Sequence, residues 1–465
     1  MASLALDAPR SDVLAHAGRL IAEAWTSFDH ARDGQPPIDD ATSALLRADL
    51  PQHATPANQV LEDAARVLDE SLAQPRPRWF GFVGSSGLEI GVIGDLLAAC
   101  YDINLAIGTE AASHVERQAV RWVGELVGYP GSGGACTSGG MLSNLTALAA
   151  ARERALPGSR RRGISGTPAA IYCSSEAHYS VVRAAEVLGL GSDGVRSIPI
   201  DANRRMRPDD LAAAIDADRG AGVTPIACIA SAGTTLTGAV DPIGALADAC
   251  SSRGVWLHVD GAYGLPAAAT PSARHLFAGL DRADSVSVDA HKWLYLPKAC
   301  GVVLVRDASV LVEAFAHDES YMLHDENERH AVDTTLEYSR PFRALKLWLA
   351  FRTHGAEAFR AAIERNLEQA RILVGLVEQA DDLELVGTPG LSIVPFRHLP
   401  GDGRDLDAHN LELSHLLQED GRVYVSPAIV DGHAVLRPCI VNFRTTDEDV
   451  RALVDVTREL GATLI

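Results

Sequence analysis

Ser285-Val286-Ser287-Val288-Asp289-Ala290-His291-Lys292-Trp293 reads as a short apolar strand that ends on a histidine, a lysine and a tryptophan. A lysine at the end of a buried strand is seldom structural, because its ammonium must be paired or desolvated. Desolvation lowers a lysine pKa and frees the amine for Schiff-base chemistry. Taken alone, the stretch is explained equally well by an ion-paired strand-end lysine.

Similar runs surround it: AAIYCSS at 169–175, IACIASAG at 226–233, WLHVDGAYG at 256–264 and GVVLVRD at 301–307, several separated by helical segments such as DPIGALADACSSRG at 241–254. Buried runs alternating with helices predict a mostly parallel sheet covered on both faces, an α/β fold. Ligands in such sheets sit at the C-terminal strand ends, where the polar residues of these runs fall. Residues 1–75 are amphipathic and helix-patterned (VLAHAGRLIAEAW, NQVLEDAARVLDESL), with too little apolar surface for a core of their own, so they are expected to pack on something larger, such as a second subunit. Residues 76–349 form the expected large domain. After it, a long helical stretch, the strand signals LELVG, SIVPF, VYVSPAIV and AVLRPCIVNF, and a helix from about Thr446 predict a smaller α+β domain over 350–465.

A formal charge of −20 argues against nucleic-acid and anionic-membrane surfaces, which need basic patches. Seven cysteines with no CxxC pair do not read as a disulfide framework or a zinc site, and no metal is expected. MASLALDAPR has no long apolar core behind a basic start, so no secretory signal is expected. Ile90–Ala106 is interrupted by Asp95 and Asp102 and reads as a buried helix rather than a membrane span. A reducing cytoplasm is the simplest compartment.

Three further motifs can carry chemistry. Asp260 in HVDGAY closes a strand and precedes the small residues Gly261 and Ala262; it suits a ring cation, although a helix N-cap is the commoner use of such an aspartate. Gly131-Ser-Gly-Gly-Ala-Cys-Thr-Ser-Gly139-Gly140-Met141-Leu-Ser143-Asn144 opens a helix, and glycines there let backbone N–H groups approach a phosphate. Such turns are also common without a ligand. His178 in Ser175-Glu-Ala-His-Tyr-Ser180 can stack on a planar ring or serve as an ordinary core or capping residue.

Together and in this order, these motifs resemble those of the group II amino-acid decarboxylases, which act on aromatic amino acids, glutamate, histidine or diaminobutyrate with pyridoxal 5′-phosphate (PLP) on an aspartate-aminotransferase-like scaffold (fold type I). HVDGAY is similar to the family's HVDAAY, AHKW to its PHKW, Ala232-Gly-Thr-Thr235 to a cofactor-side segment, and Ser339-Arg-Pro-Phe-Arg343 to the start of its RRF-R-LK-W helix. The likeness is good over about 76–350 and looser at both ends. It implies that Lys292 carries PLP, His178 stacks on the ring, Asp260 pairs with the pyridine nitrogen and Ala262 lines the other face. Gly139, Gly140 and Met141 would offer N–H groups to the phosphate, with His291 and Asp289 close by and Thr235 bonding around the cofactor. Phe82 and Ser85 match a substrate-side segment, and Arg437 an arginine that meets a substrate carboxylate. For these three, a core aromatic, a loop serine and a strand-end salt bridge are the plain alternatives. The implied product is an amine, made by a homodimer with shared active sites.

Two departures bear on the reaction. The loop Leu323–Glu337 is short and lacks the tyrosine that in the family returns a proton to the substrate carbon; Tyr321 and Tyr338 flank it, and His324 or His330 could replace it. In plant relatives, losing that tyrosine accompanies O2-dependent formation of an aldehyde, which makes an aldehyde synthase the alternative reading. Asp289 stands where many members have asparagine, and an anion beside a phosphate must turn away or be paired. A non-catalytic relative, a transaminase and a desulfurase fit these contexts less well.

Overall fold

The computed structural model describes residues 4–72, 74–106, 109–131, 133–317 and 331–464. Eleven strands lie among them: β1 (Gly133–Thr137), β2 (Ala169–Ser174), β3 (Val195–Ile198), β4 (Thr224–Ser231), β5 (Trp256–Asp260), β6 (Ser285–Asp289) and β7 (Gly301–Val305), then β8 (Leu383–Leu385), β9 (Phe396–His398), β10 (Ser426–Val430) and β11 (His433–Arg437). The first seven form one sheet in the order β1-β7-β6-β5-β4-β2-β3. Its centre is parallel, from β3 through β6, while β7 runs antiparallel to both neighbours. The apolar runs are buried nearly throughout, as a sheet covered on both faces requires. β1 was read as part of a glycine-rich turn; two glycines at its start hide a strand that pairs with β7.

The last four strands form a second, antiparallel sheet in the order β10-β11-β9-β8. Its core joins Leu373, Val377, Phe396, Leu413, Val425 and Leu436. Phe80 belongs to this core, and the segment around it is tied there: Phe80 N–H donates to Tyr424 O and Cys439 N–H to Phe80 O. The helix Ala344–Glu378 links the two sheets across a kink at Gly355, whose φ of 72° is left-handed.

The helix Glu89–Tyr101 corrects one expectation. It is not a buried helix: only Gly91 and Gly94 are buried, and Leu96, Leu97 and Tyr101 are exposed. A Cβ on Gly94 would lie 2.7 Å from Lys346 Cα, so the glycine side packs closely on the long helix while the apolar side faces outward. The helices Arg10–Phe28 and Ala57–Asp69 contain no buried residue at all. No described helix is long and apolar enough to cross a membrane.

Candidate active site

β5 and β6 pair in parallel with His258 opposite Ser285 and Asp260 opposite Ser287. Strand side chains alternate, so His258, Asp260, Ser285, Ser287 and Asp289 share one face. The helix Gly140–Ala155 packs over that face and brings Asn144 to it: Asn144 Nδ2 donates to Asp260 Oδ2 at 2.8 Å. Ser287 Oγ and Ala262 N–H donate to the other oxygen, at 3.2 and 3.1 Å. Three donors thus aim the carboxylate from strand end into cleft.

Lys292 sits on the single turn Ala290–Trp293 directly after β6. Its Nζ lies 3.0 Å from Asp289 Oδ2, so it is ion-paired, as the plainer reading has it. Its side chain nevertheless keeps 24% of its surface open, whereas that of Asp289 keeps 3%. Asp289 Oδ1 is buried without a hydrogen bond, and His291 Nε2 stands 3.8 Å from Oδ2. The anion expected to be awkward beside a phosphate is therefore paired. Burial holds the His178 imidazole below the usual histidine range, and the charges of Asp260, Lys292 and Asp289 all reach it. His178 Nδ1 accepts from Ser180 N–H at 3.2 Å, and the ring lies 4.2 Å from that of Tyr179.

The residues fit a phosphate-bearing aldehyde such as PLP. Gly139 caps the helix Gly140–Ala155, and Met141 is its second residue, half-buried. A Cβ on Gly140 would stand 2.8 Å from Ala262 Cβ and 3.0 Å from Asp289 Oδ2, and one on Gly139 would stand 3.2 Å from His291 Cε1. Glycine lets this helix start, with its free first-turn N–H groups, come so close to Ala262, Asp289 and His291. A carboxylate for a protonated ring nitrogen and an amine for the aldehyde carbon complete the donor set.

Arg437, at the end of β11, is 5% exposed, yet has no carboxylate within ion-pair distance among the described residues. Its guanidinium donates to Thr235 O at 3.0 Å and Phe82 O at 2.9 Å, drawing three expected site residues together. A strand-end salt bridge does not account for it. Phe82, at a φ of 55°, holds its ring outward beside Trp79 and Tyr424. Ser85 is buried against Ser86 O. The Thr235 side chain is exposed, and it is Thr234 that is buried, bonded to Ala239 N–H. Tyr338 is exposed, and Tyr321, His324 and His330 lie outside the described residues.

Sequence reading passed over Asn144, His258 and Ser287 as site residues. Polar residues two apart in otherwise apolar runs, His258/Asp260 and Ser285/Ser287/Asp289, were the available signal. Burial lowers His258 to about 4 and holds His178, His291, His398 and His409 below the usual range. The unfolded chain then binds protons near 6.5 that the fold refuses, so these groups contribute stability above 6.5 that is lost as pH falls below it, for His258 down to about 4. Asp241, raised by burial to about 6, acts oppositely, since its ionisation costs stability as pH rises from 3.8 to 6. A difference between variants isolates one group: His258→Gln should flatten the fall in urea midpoint between pH 6.5 and 4.5, and an unchanged slope would show that His258 titrates normally.

A doubly covered, mostly parallel sheet with a lysine, an aspartate and a glycine-capped helix at its strand ends is that of a fold-type-I PLP enzyme. The chain belongs to the pyridoxal-dependent decarboxylases: the model of the family's conserved domain matches residues 40–399. It is 33% identical to the aromatic-L-amino-acid decarboxylase of Bacillus atrophaeus over 87% of this chain and 85% of that one. It is also 28% identical to the phenylacetaldehyde synthase of Arabidopsis thaliana over 87% and 86%. The crystal structure of Oryza sativa TDC with PLP and tryptamine superposes with a TM-score of 0.92 at 27% identity, covering 100% of this chain and 99% of that one. The enzyme is thus a PLP-dependent carboxy-lyase of amino-acid metabolism.

Proposed function

We propose that the chain decarboxylates an L-amino acid to its amine, with PLP held on Lys292. The observation that carries the reading is the meeting of Lys292, Asp260 and His178 beside the glycine-capped start of the helix Gly140–Ala155. When bound, PLP supplies an electron sink for the pair left at the α-carbon as CO2 departs. Lys292 Nζ would bind the aldehyde carbon and, with no tyrosine in Leu323–Glu337, would hold the proton to be returned. Asp260 would keep a proton on the ring nitrogen, His178 would cover one ring face, and Ala262 would line the other. Gly139, Gly140 and Met141 would offer N–H groups to the phosphate, with His291 and the paired Asp289 beside them. Thr235 would bond around the cofactor, Phe82 and Ser85 would border the substrate, and Arg437 would orient a carboxylate.

A homodimer with shared sites is supported by the outward apolar residues Leu96, Leu97 and Tyr101 and by the partly covered N-terminal helices. Seven free cysteines, six of them buried, suit a reducing cytoplasm.

The second reading is an aldehyde synthase, favoured by the tyrosine-free stretch Leu323–Glu337 and the Arabidopsis relative. There, amino acid, O2 and water give aldehyde, CO2, ammonia and H2O2. A panel of L-amino acids with purified holoenzyme under air separates the two. The leading reading expects CO2 and amine in equal amounts without peroxide. Peroxide equal to CO2 replaces it with the second, and no CO2 from any substrate overturns both.

A further inference from the structure

Asp260 is the near end of a longer chain of buried groups. Trp256 Nε1–H donates to Ser285 Oγ at 2.8 Å, and Ser285 Oγ lies 2.9 Å from His258 Nδ1. His258 Nε2 lies 3.0 Å from Asn144 Oδ1, and Asn144 Nδ2 reaches Asp260 Oδ2 at 2.8 Å. His258 and Ser285 are completely buried, Asn144 is 1% exposed, and Trp256 is 7% exposed. Bulk water therefore does not reach them, and the groups satisfy one another.

The direction of every proton follows from the carboxylate. A carboxylate only accepts, so Asn144 must turn its NH2 toward Asp260 and its carbonyl toward His258. That carbonyl needs a donor, which places the imidazole proton on Nε2. Nδ1 is then an acceptor, and Ser285, already accepting from Trp256, gives it its single proton. Reversing any member leaves two donors or two acceptors face to face in a dry site, at the cost of a lost buried hydrogen bond. The chain has one consistent orientation, and it ends with an N–H on the oxygen opposite the one held by Ser287 and Ala262.

We propose that Asn144 and His258 are positioning residues, and that the directed chain Trp256–Ser285–His258–Asn144 fixes the aim of Asp260 at the cofactor's ring nitrogen. The proposal rests on the reading of Asp260 as that nitrogen's partner. Neither residue touches the reacting atoms. His258 acts only through Asn144, with its tautomer set by Ser285, much as the far nitrogen of a functional histidine is commonly set by a neighbour. The common source is the register, since one pair of adjacent strands supplies Asp260 and Ser287 at the cleft and His258 and Ser285 one layer beneath.

The test reads the cofactor rather than turnover alone. Holoenzyme is reconstituted with PLP labelled with nitrogen-15 in the ring, and the nitrogen's NMR shift reports its protonation. Asp260→Asn should move the shift to the unprotonated position. Asn144→Leu, which takes the N–H away from Asp260, and His258→Leu should move it the same way and weaken PLP binding by roughly tenfold or more. In both, kcat should fall while KM changes little. His258→Gln keeps a donor toward Asn144 and should recover most of the shift, which a purely structural role would not produce. An unmoved signal in Asp260→Asn means that Asp260 does not protonate the ring. Asp260→Asn moving while Asn144→Leu and His258→Leu do not overturns the chain alone. Should His258→Leu not fold, Ser285→Ala, a one-atom deletion, must show a smaller shift in the same direction, and no shift there also overturns the proposal.

Discussion

Lys292→Ala eliminates the cofactor's visible absorbance in the purified protein and lowers CO2 release by at least about 10³-fold, because alanine offers neither a nucleophile for the aldehyde nor a proton for the substrate carbon. The substitution also removes the cation 3.0 Å from Asp289, a carboxylate with 3% of its side chain exposed. Part of any loss could therefore be structural. Lys292→Arg divides the two effects: it restores a positive charge to Asp289 but cannot form an imine. The expected pattern is a thermal midpoint near wild type for Lys292→Arg, with activity as low as in Lys292→Ala. Substantial decarboxylation by either variant would remove Lys292 from the chemistry.

Arg340→Met destabilises the fold by about 3–5 kcal/mol, the cost of leaving one partner of a buried ion pair alone. Arg340 and Glu116 side chains are 2% and 8% exposed and pair through both oxygens, at 2.8 and 2.9 Å. Glu116 also accepts from Cys136 N–H, and Arg340 donates to Cys136 O. The pair thus fastens the segment before the long helix to β1, and β1 runs directly into Gly139 and Gly140. Weaker PLP binding should accompany the lower urea midpoint. Replacing both partners with apolar residues, Arg340→Met with Glu116→Leu, should recover much of the stability, since no buried charge is then left over. A single variant as stable as wild type would mean that Glu116 finds another partner.

The parallel sheet was legible because strands buried on both faces appear as short apolar runs, and β2, β4, β5, β6 and β7 all do. β1 escaped notice because its glycines resemble a phosphate turn, and both descriptions are correct of the same stretch. The helix Glu89–Tyr101 looked buried because it is apolar all round; one chain alone covers only its glycine side. Lys292, Asp260 and Gly139–Gly140 stood out as candidates because each lies at a strand end or a helix start, where α/β folds gather ligands, and His178 because of the family motif around it. The layer beneath them could not. Asn144 meets His258 and Asp260 only through the packing of a helix on a particular strand register, and Arg437 reaches Phe82 and Thr235 across two sheets. Such pairings are properties of tertiary geometry, and local residue patterns do not encode them.

The chain has only three lysines, which makes the central claim directly testable. Lys346 is 2% exposed and paired with Asp95 at 2.9 Å. Lys298 is the real competitor, because desolvation lowers its pKa and so favours the free amine. Borohydride reduction of the holoenzyme followed by peptide mass mapping shows which lysine carries the cofactor. The account predicts one pyridoxyl group per chain, on Lys292 alone. A label on Lys298 or Lys346, or none on Lys292, would contradict it.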